Sequence, residues 1–193
     1  MVKIEKLRES LNFYNPWWRT GRVPDELKLV YQRPILRKLI SYLNLDRIVV
    51  LKGPRRTGKS TLLYQIIDSL ILNGVSPQSI LYLSFDDIDA RAELSLIIKA
   101  YEEILSKNIA ETKETYCLLD EVHFLDNWSF QIKKYFDRKF PIKFIVSGSS
   151  ASLIKKGAES LAGRTVEEII LPFSFKEYLA FKTKDKALFE ILD

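Results

Sequence analysis

Cysteine, methionine and histidine are almost absent from this chain of 193 residues, which contains one of each. The lone cysteine, Cys117, cannot form an internal disulfide, and no leader with a charged start, an apolar stretch and a cleavage site opens the sequence. No apolar run approaches the ~20 residues that span a bilayer. These absences exclude a disulfide-stapled scaffold and a membrane-spanning protein, and we expect the chain to be cytoplasmic.

Repeats and low-complexity segments are also absent, and the composition is typical of a globular protein. Apolar residues make up 47% of the chain and charged residues 28%, so the sequence lacks the low hydrophobicity that keeps chains disordered. A chain of this length fits one domain that is long enough to bury a sizeable core. We therefore expect one folded unit.

Positive charge is in excess and is concentrated in the N-terminal part. The net charge is +5, and residues 1–60 contain fourteen Lys and Arg against five Asp and Glu. A segment with this excess of positive charge forms either a solvated surface or a surface that binds nucleic acid. The absence of an aromatic and basic recognition motif favours the solvated surface. The candidates for such a surface, none of which belongs to a motif, are Arg8, Arg19, Arg22, Lys28, Arg33, Arg37 and Lys38.

Glycine is scarce, with seven in the chain, yet two of them belong to one motif. Residues 53–60 read GPRRTGKS and match the pattern G-x-x-x-x-G-K-[ST], between an apolar run at 48–51 and a helical pattern. In such a loop the backbone N–H groups cradle phosphate at the N-terminus of the following helix. The motif predicts that Lys59 contacts the β- and γ-phosphates and that Ser60 ligates Mg²⁺. The predicted phosphate-binding residues are Gly53, Pro54, Arg55, Arg56, Thr57, Gly58, Lys59, Ser60 and Thr61.

Apolar runs and helical periodicity alternate along the rest of the chain. Strands are predicted at 47–51, 80–85, 116–119, 143–147 and 166–171, and helices at 34–43, 59–73, 94–107, 127–139 and from 174 towards 181. Ser174 and Glu177 form a capping box at the start of the last helix. This alternation predicts an α/β fold with a parallel sheet, helices on both faces and ligand-binding loops at the carboxyl ends of the strands.

Adjacent carboxylates follow the third predicted strand. Asp120 is predicted to hold Mg²⁺ through water, and Glu121 to act as the general base that polarises an attacking water. A base for water favours hydrolysis over kinase chemistry, because a kinase excludes water from the phosphate. Ser147 and Ser149, at the tip of the fourth strand, are candidates for orienting that water, and the alternative is a polar glycine turn.

Taken in order, these motifs resemble the AAA-like archaeal and bacterial P-loop ATPases. The segments that carry the likeness are 15–18, 53–60, 118–121, 147–149, 161–164 and 171–175. The resemblance covers nearly the whole chain and implies a three-layer P-loop NTPase sandwich, an ATPase core with a parallel sheet of strand order 5-1-4-3-2 and ATP as the ligand. It also implies that Arg164 is an arginine finger or a sensor of the γ-phosphate, and the alternative is a surface arginine.

The motifs together predict an ATP-binding protein that hydrolyses ATP with Mg²⁺ and acts as a conformational switch. Residues 1–46 would form an aromatic and basic segment with a helix packed on the ATPase domain at 47–193. The alternative is a nucleic-acid-binding module that holds ATP as a structural ligand. Expected interactions are with ATP, with a protein or DNA through the basic N-terminal part, and with further copies of the chain. No Asn/Thr-Lys-x-Asp element reads guanine, so ATP is expected to be preferred over GTP, with loose base selectivity.

Overall fold

In residues 4–149 and 158–183, which the computed structural model describes, five parallel strands form one sheet. The strands are β1 (Ile48–Lys52), β2 (Ile80–Ser84), β3 (Thr115–Asp120), β4 (Ile142–Gly148) and β5 (Thr165–Ile169). Their order is β2-β3-β4-β1-β5, and each neighbouring pair is parallel. Counted from the other edge, this is the order 5-1-4-3-2, so the predicted topology is confirmed.

Helices cover both faces of the sheet. They are α1 (Ile4–Tyr14), α2 (Trp17–Thr20), α3 (Asp25–Lys28), α4 (Ile35–Tyr42), α5 (Lys59–Leu72), α6 (Leu94–Leu105), α7 (Trp128–Asp137) and α8 (Phe175–Thr183). Across the two described ranges, none of these helices has the length and apolar character needed to traverse a bilayer.

The side chains of β1 alternate between two hydrophobic cores. Ile48 and Val50 pack with residues of α1, α6 and α7, whereas Val49 and Leu51 pack with residues of α4 and α5. Successive side chains of a strand point to opposite faces, so a strand covered on both faces requires an unbroken apolar run. The predicted three-layer arrangement is confirmed by this partition.

The segment after α1 covers the edge of the sheet at β2. The side-chain Oδ1 of Asn15 accepts a hydrogen bond from Tyr82 N at 2.7 Å, and its Nδ2 donates to Tyr82 O at 2.8 Å. The indole nitrogens of Trp17 and Trp18 both donate to Ile80 O, at 3.1 and 2.8 Å. An exposed strand edge pairs readily with other chains, and these side chains occupy its hydrogen-bonding groups. Two strands, β3 and β4, therefore separate the strand that Trp17 and Trp18 cover from β1.

Helix α1 differs from the expectation drawn from the sequence, which assigns no helix before residue 34. Leu7 and Leu11 lie one turn apart on its buried face and are fully enclosed in the core that contains α6. Ile4 and Tyr14 pack against the same core, and most of the other residues of the helix are polar. Tertiary packing of these two leucines stabilises it more than intrinsic propensity does.

Candidate functional site

The loop between β1 and α5 has backbone requirements that only glycine satisfies at two positions. A Cβ on Gly53 would lie 2.2 Å from Ile170 O, so any side chain there would collide with the chain that follows β5. Gly58 has a φ of 85° immediately before α5, in the left-handed region that favours glycine. The motif thus folds into a tight loop that ends at a helix N-terminus, where N–H groups are available to an anion.

Lys59 lies inside this loop. It is 4% exposed, and its Nζ donates to Gly53 O at 3.0 Å and to Pro54 O at 2.8 Å. Both acceptors are neutral carbonyls, so they orient the ammonium without cancelling its charge. Lys59 therefore presents a positive charge at the N-terminus of α5, where the helix dipole adds to it.

The other residues of the loop differ in exposure. Thr57 is buried, and its Oγ1 donates to Pro54 O at 3.0 Å. Thr61 is half-buried on the first turn of α5. The exposed members are Pro54, Arg55, Arg56 and Ser60. The hydroxyl of Ser60 therefore stands at the surface of the loop, where a metal ion or a phosphate can reach it.

Asp120 is held by donors from the two neighbouring strands and from the residue that follows it. Its Oδ1 accepts hydrogen bonds from the Ser147 hydroxyl on β4 and from Glu121 N at 3.0 Å. Its Oδ2 accepts from the Tyr82 hydroxyl on β2 at 3.1 Å. Burial and the nearby Asp120 charge raise the pKa of Tyr82 well above its usual range, so the phenol stays a donor. The carboxylate is 2% exposed and fixed in one orientation.

Ser147 thus has a contact that differs from the predicted one. It is fully buried, and its hydroxyl points at Asp120, so it orients a carboxylate where the sequence suggested that it orients water. Ser149 lies one residue beyond β4 and is half-buried. Its water-orienting role stays a prediction.

Glu121 adopts a backbone conformation that is unusual for its residue type. Its φ of 49° lies in the left-handed region, which costs a non-glycine residue about 1 kcal/mol. Burial and the neighbouring Asp120 raise the pKa of its carboxyl, whereas the charges of Lys59 and Arg55 partly oppose the shift. The net result is a carboxylate more basic than an ordinary glutamate, in a position that only the surrounding fold maintains.

His123 lies beside this carboxylate. Its Nδ1 is 3.3 Å from Glu121 Oε2, and its ring packs on Phe124 with centroids 4.4 Å apart. The His123 side chain is 7% exposed. It therefore helps to enclose the Glu121 carboxylate.

Arg164 lies at the amino ends of the strands, whereas the loop lies at their carboxyl ends. It precedes β5, its carbonyl accepts from Ile48 N at the start of β1, and its guanidinium pairs with Asp137 at 2.7 Å. Because β1 and β5 are parallel, the length of β1, about 15 Å, separates this edge from Gly53. The structure does not bring Arg164 to the site, so a sensor role within one chain is corrected to a surface ion pair. The sequence contained this signal, since a residue before a parallel strand lies at the amino edge.

A cavity of about 220 Å³ opens beside the loop. It lies between α5, the segment before α4 and the segment that leads into α8. Residues that line it include Tyr31, Thr57, Thr61, Gln65, Phe173 and Phe181. The three aromatic rings form a cluster with centroids 5.6 to 5.9 Å apart. A largely apolar cavity with aromatic walls is suited to a planar ring.

Arg33 joins the three segments that surround this cavity. Its Nη1 donates to Thr57 O of the loop and to Leu171 O, both at 3.0 Å. Its Nε and Nη2 donate to the two carboxylate oxygens of Glu177 at 2.7 and 3.2 Å, and its guanidinium lies 5.0 Å from the Phe173 ring centroid. The predicted capping box is confirmed, because Glu177 also accepts from Ser174 N at 2.9 Å. Arg33 therefore connects the loop to α8.

The sequence did not identify Tyr82, Arg33, Gln65 or Tyr31 as site residues. Tyr82 left a weak signal, because a phenol in an apolar strand needs a partner when it is buried. The other three acquire their positions from contacts between distant segments.

Three of the seven candidates for a nucleic-acid-binding surface form ion pairs. Lys28 pairs with Asp68 at 2.8 Å, Arg33 with Glu177 at 2.7 Å and Lys38 with Glu168 at 2.7 Å. These pairs reduce the charge that the N-terminal part offers to nucleic acid.

Comparisons with known proteins give a family match and several relatives. The sequence matches a family described as AAA domain over residues 45–179, more than half of the chain. An uncharacterized protein of Haemophilus influenzae is 32% identical over 159 residues, which cover 81% of this chain and 39% of that protein. Two uncharacterized proteins of Methanocaldococcus jannaschii are 35% and 34% identical; each match covers 79% of this chain, and 33% and 32% of those proteins. The chain thus spans well under half the length of these relatives.

A solved structure shares the fold. The structure of C. elegans PCH-2 matches with a TM-score of 0.53 and 18% identity, covering 85% of this chain and 50% of that one. At this level of identity the likeness concerns the fold alone.

Proposed function

The chain belongs to the AAA domain family, and on that basis we propose that it binds ATP with Mg²⁺ and hydrolyses it. The observation that supports this most strongly is the grouping of Lys59, Asp120 and Glu121 at the carboxyl edge of the sheet. Lys59 lies close enough to Glu121 to lower the pKa of its carboxyl. Lys59 would bind phosphate, Asp120 would orient the metal ion and Glu121 would accept a proton from water, all beside one loop.

Binding of the triphosphate is assigned to the loop. The N–H groups around Gly58 and the ammonium of Lys59 face the β- and γ-phosphates. The Ser60 hydroxyl and the Asp120 carboxylate, the latter through water, supply oxygen ligands of the kind that Mg²⁺ prefers. The bound Mg²⁺ would neutralise charge that develops on the phosphate oxygens.

Hydrolysis is assigned to Glu121. Its raised pKa brings its basicity closer to neutral pH, which makes it a better acceptor for a proton from water. The neighbouring Asp120 is occupied by three donors, so it is suited to orientation rather than to proton transfer. The two adjacent carboxylates therefore have different roles because their surroundings differ.

The proposed switch acts through Arg33. A change in the loop on hydrolysis would alter the Thr57 carbonyl that Arg33 contacts, and Arg33 also holds Glu177 of α8. We infer that α8 and the segment before it report the state of the nucleotide to a partner. No observation favours the nucleic-acid module over this function.

Two variants test the proposal. Lys59→Ala should weaken ATP binding by more than about tenfold, because it removes the charge that faces the phosphates. Glu121→Gln should keep ATP affinity and lower phosphate release by about 10²-fold or more, because the amide cannot accept the proton. Calorimetric titration with ATP and Mg²⁺, together with a phosphate-release assay, measures both quantities.

Matched controls are available on α6. Lys99→Ala and Glu103→Gln make the same changes at exposed positions and should behave as the wild-type chain. Undiminished phosphate release in Glu121→Gln would refute the assignment of the base, whereas tight ATP binding in Lys59→Ala would refute the assignment of the loop.

A further inference from the structure

The two oxygens of the Glu121 carboxylate lie in different surroundings. Oε2 is enclosed by protein and, among the residues that the structure describes, accepts no hydrogen bond. The side chain as a whole is 19% exposed, so this exposure falls on atoms other than Oε2. An enclosed carboxylate oxygen needs a donor to replace the water that it has lost. Nδ1 of His123, 3.3 Å away, is the group placed to supply one.

The position of the His123 imidazole is determined by its neighbours. Phe124 N donates to Glu121 O at 3.0 Å, which closes a tight turn that returns the imidazole to the carboxylate. The imidazole packs on the Phe124 ring, and the guanidinium of Arg91 lies 4.3 Å from the centroid of that same ring. Arg91 Nε in turn donates to Phe85 O at 2.8 Å. The imidazole is therefore supported by a ring that is anchored to the chain after β2.

The contact between the two side chains favours one tautomer of the imidazole. A neutral histidine carries its proton on one ring nitrogen and a lone pair on the other. A lone pair on Nδ1 would face the Oε2 oxygen, so the proton is expected on Nδ1. The distance of 3.3 Å is long for a hydrogen bond, but the last torsion of a glutamate is broad, so a small rotation of the carboxylate shortens it.

We propose that His123 is a positioning residue for the general base: its Nδ1–H holds Oε2 of Glu121, so that Oε1 receives the proton of the attacking water. In this step the O–H bond of the water breaks, its oxygen bonds to the γ-phosphorus and the proton passes to Oε1. His123 exchanges no proton. The inference rests on the proposed hydrolysis of ATP and deepens it.

Two substitutions of His123 separate positioning from packing. Asparagine and leucine both branch at Cγ, and asparagine places an N–H donor where Nδ1 lies, whereas leucine places a methyl group there. His123→Leu should lower kcat by about tenfold or more and leave KM for ATP within about twofold, because it removes a hydrogen bond to a charged group. His123→Asn should recover most of this loss. A role in packing alone would favour leucine against the Phe124 ring, so a kcat in His123→Leu equal to or above that of His123→Asn would overturn the inference.

A double-mutant cycle tests whether His123 acts through Glu121. In the Glu121→Gln background the base is already lost, so His123→Leu should lower the remaining phosphate release by less than about twofold. A further tenfold loss in that background would show that His123 acts independently of Glu121 and would overturn the inference.

The imidazole can also be observed directly, because the chain contains one histidine. In ¹⁵N NMR of the wild-type chain the proton should reside on Nδ1. Glu121→Gln should shift the Nδ1 signal, whereas Glu103→Gln, at an exposed position of α6, should leave it in place. This measurement on the wild-type chain requires neither a His123 variant nor turnover.

The outcomes distinguish the inference from the proposed function. A proton on Nε2 alone, in a wild-type chain that hydrolyses ATP, would overturn the inference and leave the proposed function standing. No phosphate release from the wild-type chain would overturn both.

Discussion

At the scale of single residues, the site depends on how neighbouring strands orient one carboxylate. Ser147 and Tyr82 reach Asp120 from β4 and β2, on either side of β3. Each hydroxyl replaces a water that the buried carboxylate would otherwise need. The direction of Asp120, and so of any metal that it orients, is determined by side chains that lie outside the loop between β1 and α5.

Tyr82→Phe tests this orientation. Removing one donor to the buried carboxylate should lower the free energy of unfolding by about 1 to 3 kcal/mol. It should also raise the Mg²⁺ concentration that gives half-maximal turnover. Urea denaturation and a titration of ATPase rate with Mg²⁺ measure the two effects. Tyr101→Phe is the control, since Tyr101 is equally buried and donates to Gln78 O far from the site. It should lose stability and keep the wild-type Mg²⁺ dependence; an altered Mg²⁺ dependence there would contradict the assignment.

The raised pKa of Glu121 predicts a pH profile. The base acts in its deprotonated form, so kcat/KM should fall as the pH drops through its pKa, and at a higher pH than for an ordinary glutamate. The charge of Arg55 lowers this pKa, so Arg55→Ala should move the acidic midpoint to higher pH. Arg56→Ala removes the same charge from the next position and should leave the midpoint in place. A midpoint that shifts downwards in Arg55→Ala would contradict the proposed base.

At the scale of elements, α8 is attached to the loop by one ion pair. The side chains of Arg33 and Glu177 are 10% and 13% exposed, and the pair forms two hydrogen bonds. Burial alone would raise the pKa of Glu177, but hydrogen bonds from Arg33 and Ser174 lower it below its usual range. The docking of this helix is therefore coupled to the charge of one carboxylate.

Glu177→Gln should release α8 from the loop. We expect the free energy of unfolding at neutral pH to fall by about 1 to 3 kcal/mol, because Arg33 keeps its buried position and loses its charged partner. The depressed pKa means that the carboxylate contributes stability above its unfolded-state pKa and that this contribution is lost as the pH falls through the folded-state value. Urea denaturation across pH 3 to 8 and hydrogen exchange of residues 175–183 measure these effects.

The control for this prediction is an ion pair on the surface. Asp46→Asn removes a carboxylate from Lys139 where both side chains are 69% exposed, and it should leave the stability at neutral pH unchanged. Equal stability of Glu177→Gln and the wild-type chain at every pH would show that the pair does not hold α8.

At the scale of the whole molecule, the two edges of the sheet differ. Side chains of the N-terminal segment occupy the backbone groups of β2 at one edge. Near the other edge, at β5, the chain exposes Ile169, Leu171, Phe175 and Tyr178. The two ends of the strands differ as well. Arg164 lies at the amino ends of the strands, and the loop lies at their carboxyl ends.

This placement predicts how Arg164 affects turnover. At low protein concentration Arg164→Ala should hydrolyse ATP at the wild-type rate, since its guanidinium pairs with Asp137 and not with the site. Specific activity measured over a dilution series tests this. A marked loss at every concentration would contradict the structural assignment. A wild-type rate that rises on association and is lost in the variant, by as much as ~10³-fold, would instead show an arginine supplied by a neighbouring copy.

The sequence by itself determined the features that depend on local chemistry. The positive φ of Gly58, the crowding at Gly53 and the apolar run of β1 are demands on individual residues, so a motif can carry them. The alternation of strands and helices likewise predicted a parallel sheet with helices on both faces, whereas the strand order followed from the resemblance to P-loop ATPases.

Only the tertiary structure decided which side chains meet around that loop. Tyr82 lies 38 residues from Asp120 along the chain, and Arg33 lies 144 residues from Glu177. Their contacts follow from strand register and from the docking of α8, which no local pattern encodes. The amide of Gln65 likewise donates to two carbonyls that another segment supplies. The sequence thus specified the loop between β1 and α5, whereas packing determined the orientation of Asp120 and the shape of the adjacent cavity.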